Sequence, residues 1–438
     1  MRLKIILASL PIVLGIFFCM TIATVINPSI FINFLSNFPA KPFYDIEHYS
    51  NLVIYPACNA FYPLWPWLIS SLAKPQTIND AAFYFRIIGS LLSLINVPLF
   101  ISLLNQNIKS YKIIFLVVAL YAINPLSIFR MIGYTEGIFS TLTLIFLFLL
   151  GSLKTTSKVS IRFILVCIFI LILSLLLSLT RPFLIQAALS SILALISILL
   201  ISRFQNKKTF NQAFKIYGLT TLIIWIGALL GYCIYGYYCW QTRGDFFAPF
   251  HDQKNWGKQL GFYPVLFFIP LTLADFTSIY LPIIAFITSW LICISITIKK
   301  LIFIIPKIWQ WILLFAYPPA FMAFYFVDFK KVNFLGKQNN LQEINLTQSA
   351  NDITTNYMFW FCIYFALIHS IIIVFSDQKL TSLRRFIFGT PYFFVAIAYL
   401  SQCFPSRKVS KLLLWLLILS AIGLVQYWLD YANGVWIG

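Results

Sequence analysis

Residues 162–180 read RFILVCIFILILSLLLSLT, and after Arg181, Pro182 and Phe183, residues 184–202 read LIQAALSSILALISILLIS. Each run approaches the roughly 20 apolar residues that a helix needs to cross a bilayer. Only the corner Thr180-Arg181-Pro182 separates them. Pro182 ends the first helix there, because proline lacks an N–H and clashes with the preceding turn. Two consecutive spans joined by a tight corner make this an all-α, polytopic membrane protein.

The same pattern extends in both directions. Apolar runs occupy 4–26, 81–103, 113–129, 134–151, 216–239, 279–298, 357–376, 386–403 and 411–431. With the first pair they predict about eleven transmembrane helices, within a range of about ten to thirteen. Segment 61–73 is short and holds Pro63 and Pro66; segment 301–327 is broken by Pro306, Lys307 and Pro318-Pro319. Both are expected to be re-entrant or interfacial, since broken helices survive where protein or water satisfies the backbone. Residues 1–27 begin like a signal peptide, but the apolar run is too long and no A-x-A site follows, so they read as the first span. The chain is expected to form one integral membrane domain, 1–438, with 301–356 as an inserted segment.

Composition agrees. Of 438 residues, 61% are hydrophobic and 10% are charged, against about 25% charged in a soluble domain. Aromatics supply 18%, suited to helix interfaces and headgroup belts. The net charge of +19 is a topology signal and a preference for anionic lipids or phosphate-bearing substrates. No basic run interleaved with aromatics lies outside the apolar segments, which argues against a nucleic-acid ligand. The eight cysteines lack metal-like spacing. Cys233 and Cys239 could face each other near a helix end, but sequence alone assigns no disulfide.

Basic residues orient the spans. Arg2 and Lys4, then Lys109 and Lys112, then Lys154, Lys158 and Arg162, then Arg203, Lys207, Lys208 and Lys215 recur at every second connection. The positive-inside rule puts these in the cytoplasm. Lys299 and Lys300 end the eighth span on that side. Lys330, Lys331 and Lys337 belong there too if 301–327 re-enters; alternatively 263–277 crosses as well. The opposite face then collects loop 28–60, the junction 129–136, the Arg181 corner, loop 240–262 and Ser382 to Arg385.

Six motifs lie on that face. Tyr44-Asp45-Ile46-Glu47-His48-Tyr49 follows the first span; on a helix, Asp45, His48 and Tyr49 share a face and Glu47 points elsewhere. Carboxylates at a membrane surface are costly unless solvated or functional. Phe61-Tyr62-Pro63-Leu64-Trp65-Pro66 reads as a rigid interfacial turn. Asn124-Pro125, Phe129-Arg130 and Tyr134-Thr135-Glu136 follow, with Glu136 either complementing a helix dipole or serving a site. Arg181 either snorkels or binds an anion. The loop from Gly244 through Asp245, Ala248, His251 and Gln253 to Trp256-Gly257 is the most polar. Arg384-Arg385-Phe386 precedes a late span.

Their order, over residues 44–403, resembles the PIG-V family, the second mannosyltransferase of GPI-anchor synthesis, and its bacterial relatives in the polytopic glycosyltransferase C superfamily. Tyr44 stands where the family has Trp, and Phe386 where it has Tyr. Asp45, His48 and Tyr49 fit the first motif, Phe61 to Pro66 the second, and Asn124, Pro125, Phe129, Tyr134, Thr135 and Glu136 the third. Thr180-Arg181 fits the fourth. Gly244, Asp245, Ala248, Gln253, Trp256 and Gly257 fit the loop.

The resemblance implies inverting transfer of a sugar, mannose above all, from a polyprenyl- or dolichyl-phosphate donor to a lipid, glycan or protein hydroxyl outside the cytoplasm. Such transfer needs a carboxylate to accept the acceptor's proton and cations to stabilise the departing phosphate. Asp45 is the candidate base, with Glu47 as runner-up. Arg181 and Arg385 are the candidate phosphate ligands, since a guanidinium binds phosphate bidentately. His48, Tyr49, Glu136, Asp245, His251, Gln253 and Trp256 are candidates for substrate contacts. A divalent metal is left open, with no diagnostic ligand spacing. The membrane would be the plasma membrane in a bacterium and the endoplasmic reticulum in a eukaryote. The competing class is a transporter or flippase of lipid-linked intermediates, for which broken helices also speak.

Overall fold

The computed structural model describes residues 2–35, 45–153, 160–205, 207–252, 261–268, 273, 276–298, 307–325, 353–376 and 382–435. Every regular element among them is helical. They are α1 (Arg2–Ile26), α2 (Ser29–Leu35), α3 (Asp45–Ile54), α4 (Leu64–Ala73), α5 (Ile78–Leu104), α6 (Tyr111–Ile123), α7 (Ile128–Met131) and α8 (Glu136–Ser152). Next come α9 (Ile161–Thr180), α10 (Leu184–Gln205), α11 (Lys207–Arg243), α12 (Ala248–His251) and α13 (Val265–Phe268). A π-helical turn (Phe276–Tyr280) leads into α14 (Leu281–Ile298), followed by α15 (Lys307–Ala316) and α16 (Tyr357–Ser376). The last three are α17 (Leu383–Phe388), α18 (Tyr392–Ser401) and α19 (Ser406–Ala432).

All eleven apolar runs coincide with helices. Among the described residues, seven helices are long and apolar enough to cross a membrane, and α6 with the 125–131 turn makes an eighth, bent by 62°. Of the other three runs, 134–151 and 386–403 form the shorter apolar helices α8 and α18 and 357–376 forms the 20-residue α16, so among the described residues the count of full-length crossings falls below eleven. The shortening has a local cause. The expected span 386–403 is broken at Gly389-Thr390-Pro391 into α17 and α18. The carbonyl freed at Gly389 is taken by Arg130 Nη1 at 3.1 Å and Ser140 Oγ at 3.2 Å, which is how a broken helix stays affordable inside protein.

Segment 61–73 forms α4, with Trp65, Pro66 and Ile69 buried. In segment 301–356, only 307–325 and 353–356 are described; the remaining residues, including Lys330, Lys331 and Lys337, lie outside the described set. Lys299 and Lys300, and Lys154 and Lys158 of the orienting loops, also lie outside it.

Packing follows residue size. Without a hydrophobic drive between helices in lipid, close approach depends on small residues. Gly227 and Gly231 of α11 face α9, and a Cβ at either would strike the Leu171 or Leu175 carbonyl and lie 2.8 Å from the Ser174 or Ser178 Cβ. Further out, Leu10, Leu14 and Phe18 of α1 and Trp415, Leu419 and Ile422 of α19 are exposed. In water these faces would aggregate; in a bilayer they are the lipid-facing surface. The protein is an all-α integral membrane protein.

Candidate active site

Short helices and helix ends meet at one end of α5, α8 and α9. Asn124 creates part of this junction: its Oδ1 accepts Leu126 N–H at 2.9 Å, and Pro125 closes α6 and starts the bent turn. Gly133 then takes φ +97°, with Phe85 Cβ 2.8 Å and Ile46 Cδ1 2.9 Å from where its own Cβ would stand. Only glycine fits there. Its carbonyl accepts the buried Trp65 indole N–H at 2.9 Å. The aromatic-proline motif and the Tyr134-Thr135-Glu136 motif are thereby docked against α3.

This docking gathers four charged residues from four elements. Arg385 of α17 lies with Nη1 2.8 Å from Asp45 Oδ2 and Nε 2.8 Å from Glu136 Oε1. Arg181, at the end of α9, brings Nη2 to 3.0 Å from the same Glu136 oxygen. Two carboxylates face two guanidiniums, so their formal charges cancel. Side-chain exposure is 1% for Glu136, 9% for Arg385, 11% for Arg181 and 13% for Asp45. Charges so placed are tolerated only when paired. The pairing is by distance rather than alignment: Arg385 Nε and Nη1 and both Glu136 oxygens lack an aligned hydrogen bond.

Aromatic rings hold the guanidiniums. Phe386 lies 4.4 Å from Arg181 Cζ and 5.3 Å from Arg385 Cζ. Tyr134 and Phe129 lie 5.1 and 5.3 Å from Arg385 Cζ. Tyr49 is buried on the Asp45 face of α3, and its hydroxyl shares a hydrogen bond with Thr135. His48 is exposed and stacks on Phe61 at 4.9 Å. Glu47 is exposed on α3 and has no ion pair among the described residues. Thus the structure joins Asp45, Glu136, Arg181 and Arg385 directly, sets Tyr49 and His48 beside them, and leaves Glu47 on the open side.

Loop 240–262 is organised separately. Asp245 Oδ1 takes Phe247 N–H at 2.9 Å and Oδ2 lies 2.8 Å from His251 Nδ1. The His251 hydrogen bond holds the Asp245 carboxyl below its ordinary pKa. These two candidates therefore pair with each other rather than with the Arg385 cluster. Arg243 grips Asp252 through both terminal nitrogens, at 2.6 and 3.2 Å, and donates to the Cys58 carbonyl at 2.9 Å. Gln253 and Trp256 lie outside the described residues, as does Tyr44.

The disulfide differs from the pairing entertained from sequence. Cys239 bonds to Cys58, and Cys233 is free. Residues 233 and 239 sit on one continuous helix six positions apart, which turns their side chains to different faces. The real partner comes from the α3–α4 connection. There Tyr235 Oη lies 2.8 Å from the carbonyl oxygens of both Asn59 and Phe61. Because Phe61 packs edge-on against Tyr49 at 5.0 Å, the disulfide region reaches back to the charged cluster.

Two further residues enter: Arg130, from the Phe129-Arg130 motif, and His369, which no motif contained. Arg130 is buried and spends Nη1 and Nη2 on the carbonyls of Gly389 and Tyr121, so it braces α17 and ion-pairs with no described residue. His369 of α16 packs on Phe365 at 4.8 Å and on Phe386 at 6.1 Å, the ring that also lies against Arg181. The available signal was its place: a titratable residue inside an apolar span marks a functional site by default. No group of three or more His, Cys, Asp or Glu positioned to hold a metal occurs among the described residues.

No known family model matches the sequence, and no curated protein is similar to it. Among solved structures, the chain is similar to the archaeal oligosaccharyltransferase AglB from Archaeoglobus fulgidus, in complex with an inhibitory peptide and a dolichol-phosphate. Identity is 11%, the TM-score is 0.39, and coverage is 97% of this chain and 56% of that one. The chain thus spans just over half the length of that protein, and likeness at this level supports no residue correspondence.

Proposed function

We propose that this protein is a membrane glycosyltransferase that moves a sugar from a polyprenyl-phosphate carrier to an acceptor hydroxyl on the extracytoplasmic face. The observation that carries the proposal is the buried Asp45–Arg385–Glu136–Arg181 cluster at the ends of apolar helices. A lipid phosphate stays at the edge of the bilayer because its chain is anchored there. Cations meant to meet it belong at span ends, where they remain partly hydrated.

In this reaction the acceptor oxygen attacks the sugar's anomeric carbon from the face opposite the phosphate. The carbon–oxygen bond to phosphate breaks, and its electron pair leaves with the phosphate oxygen. The acceptor's proton passes to the Asp45 carboxylate. Arg385 and Arg181 stabilise the second negative charge that the phosphate gains, as preorganised cations do wherever charge develops. Glu136 orients both guanidiniums. Mannose is the sugar implied by the family resemblance, and His48, Tyr49, Asp245, His251, Gln253 and Trp256 are the proposed contacts for sugar or acceptor hydroxyls.

The alternating basic loops support an extracytoplasmic site. So does the Cys58–Cys239 disulfide beside it, because disulfides persist in oxidising compartments. The test is transfer by purified protein in lipid, using a panel of polyprenyl-phosphate sugars and scoring product and released polyprenyl phosphate together. Sugar transfer that is lost in Asp45→Asn supports the proposal. Movement of an intact lipid-linked sugar between leaflets, without bond cleavage, would establish the transporter reading instead.

A further inference from the structure

We propose that Asp45 and the carrier's phosphate compete for Arg385, so that the arriving phosphate frees Asp45 to act as base. This rests on the glycosyltransferase reading above and concerns how the same site is controlled.

Arg385 is committed to both carboxylates, at 2.8 Å from each. With Arg181 the cluster is formally neutral, and the neighbouring Arg130 already spends Nη1 and Nη2 on the Gly389 and Tyr121 carbonyls, so a phosphodiester brings a negative charge that no uncommitted guanidinium of the site meets. Burying that charge unpaired is expensive. One guanidinium contact must therefore pass from a carboxylate to the phosphate.

The geometry singles out the contact that yields. Glu136 is 1% exposed and serves both arginines, and abandoning it would strand a buried charge. Asp45 is 13% exposed and lies in the first turn of α3, where unpaired backbone N–H groups and the helix dipole stabilise a lone carboxylate. Neither the Asp45 nor the Glu136 contact of Arg385 is an aligned hydrogen bond, so it is the difference in burial and in the number of arginines served that separates them. A tetrahedral phosphate gives a guanidinium paired, aligned acceptors. Phosphate is the better partner for Arg385, and Asp45 is the carboxylate able to let go. The base is then released only when a phosphate is in place, close to where the acceptor proton will be delivered.

The proposal makes an unusual demand: removing the catalytic carboxylate should tighten phosphate binding. The probes are undecaprenyl monophosphate and, separately, inorganic phosphate, titrated into purified protein in nanodiscs. Asp45→Asn and Asp45→Ala should each bind both probes about tenfold more tightly than wild type, a free-energy difference equal to one decade in dissociation constant. Glu47→Gln removes the same charge from the same helix without touching Arg385, and should stay within about twofold, as expected for a screened, exposed charge.

Unchanged affinity in both Asp45 variants would overturn the exchange and leave the glycosyltransferase reading intact. Binding by no protein would overturn both. An equal gain in Glu47→Gln would assign the effect to net charge and reject the exchange, and so would a gain confined to the lipid probe. Two Asp45 substitutions, each checked by thermal unfolding, keep a folding defect from imitating a negative result.

Discussion

Arg181 and Arg385 converge on a single oxygen, Oε1 of Glu136, from 3.0 and 2.8 Å. Like charges share an acceptor so closely only where a carboxylate binds them, and here that carboxylate is buried in the first turn of α8. The helix dipole that favours a negative charge at this position and the two guanidiniums act together. The two readings of Glu136 left open by sequence are thus compatible.

Removing Glu136 should be the most damaging change to stability in the cluster. Glu136→Gln leaves two guanidiniums facing each other in a buried site. Breaking a buried pair by deleting one partner costs about 3–5 kcal/mol. Thermal unfolding in detergent should show a clear drop for Glu136→Gln and a smaller one for Asp45→Asn, whose carboxylate is partly exposed. An equal drop for both would place the structural weight on Arg385 rather than on Glu136.

Turnover should rank the two carboxylates of α3. Asp45→Asn is expected to abolish transfer in a protein that still folds, because the near-isosteric amide cannot take a proton. Glu47→Gln should retain most of the activity, since Glu47 is turned to the open side. Initial rates at saturating donor decide the matter, and the reverse ranking would exchange the roles.

Charge alone should not rescue the arginines. Arg385 reaches two carboxylates through separate nitrogens, and lysine offers a point charge where the fork is needed. Arg385→Lys and Arg181→Lys should each lower kcat/KM for the donor about tenfold or more, the scale of a lost charged hydrogen bond. If both match wild type at limiting donor, the phosphate is held elsewhere.

The α9–α11 contact can be probed with a matched pair of glycines. Gly227→Ala places a Cβ against the Leu171 carbonyl and the Ser174 Cβ, so the backbones must part, at about 1–3 kcal/mol for overpacking. Gly218→Ala, on the same helix with nothing within 4 Å, should instead stabilise by about 0.5–1 kcal/mol through helix propensity. Because α9 carries Arg181 at its end, the Gly227 variant should also lose activity. Thermal unfolding and initial rates measure both effects.

Alkylation should report the Cys58–Cys239 pairing. In unfolded, unreduced protein six cysteines should label and two should not, with the protected pair mapping to Cys58 and Cys239. Labelling of engineered cysteines at 251 and at the partly exposed 382 by an impermeant reagent adds the topology. Both should react from the side opposite the basic loops, and reaction from opposite sides would defeat a single site around the cluster.

What the sequence determined alone is whatever depends on local composition. A run of apolar residues must become a helix in lipid, because the backbone has no other hydrogen-bond partner there. That is why every run from 4–26 to 411–431 coincides with a helix. Asp45, Glu136, Arg181 and Arg385 could be nominated because charges at span ends are conspicuous against an apolar background, and motif order did the rest. The tertiary structure decided what depends on residues distant in the chain. It chose Cys58 rather than Cys233 for Cys239, since a helix turns positions 233 and 239 apart. It broke the span 386–403 at Gly389, which needed carbonyl partners from Arg130 and Ser140. It brought two arginines onto Glu136 Oε1 and left Glu47 outside, because electrostatic pairing is set by distances of about 3 Å that no spacing along the chain encodes.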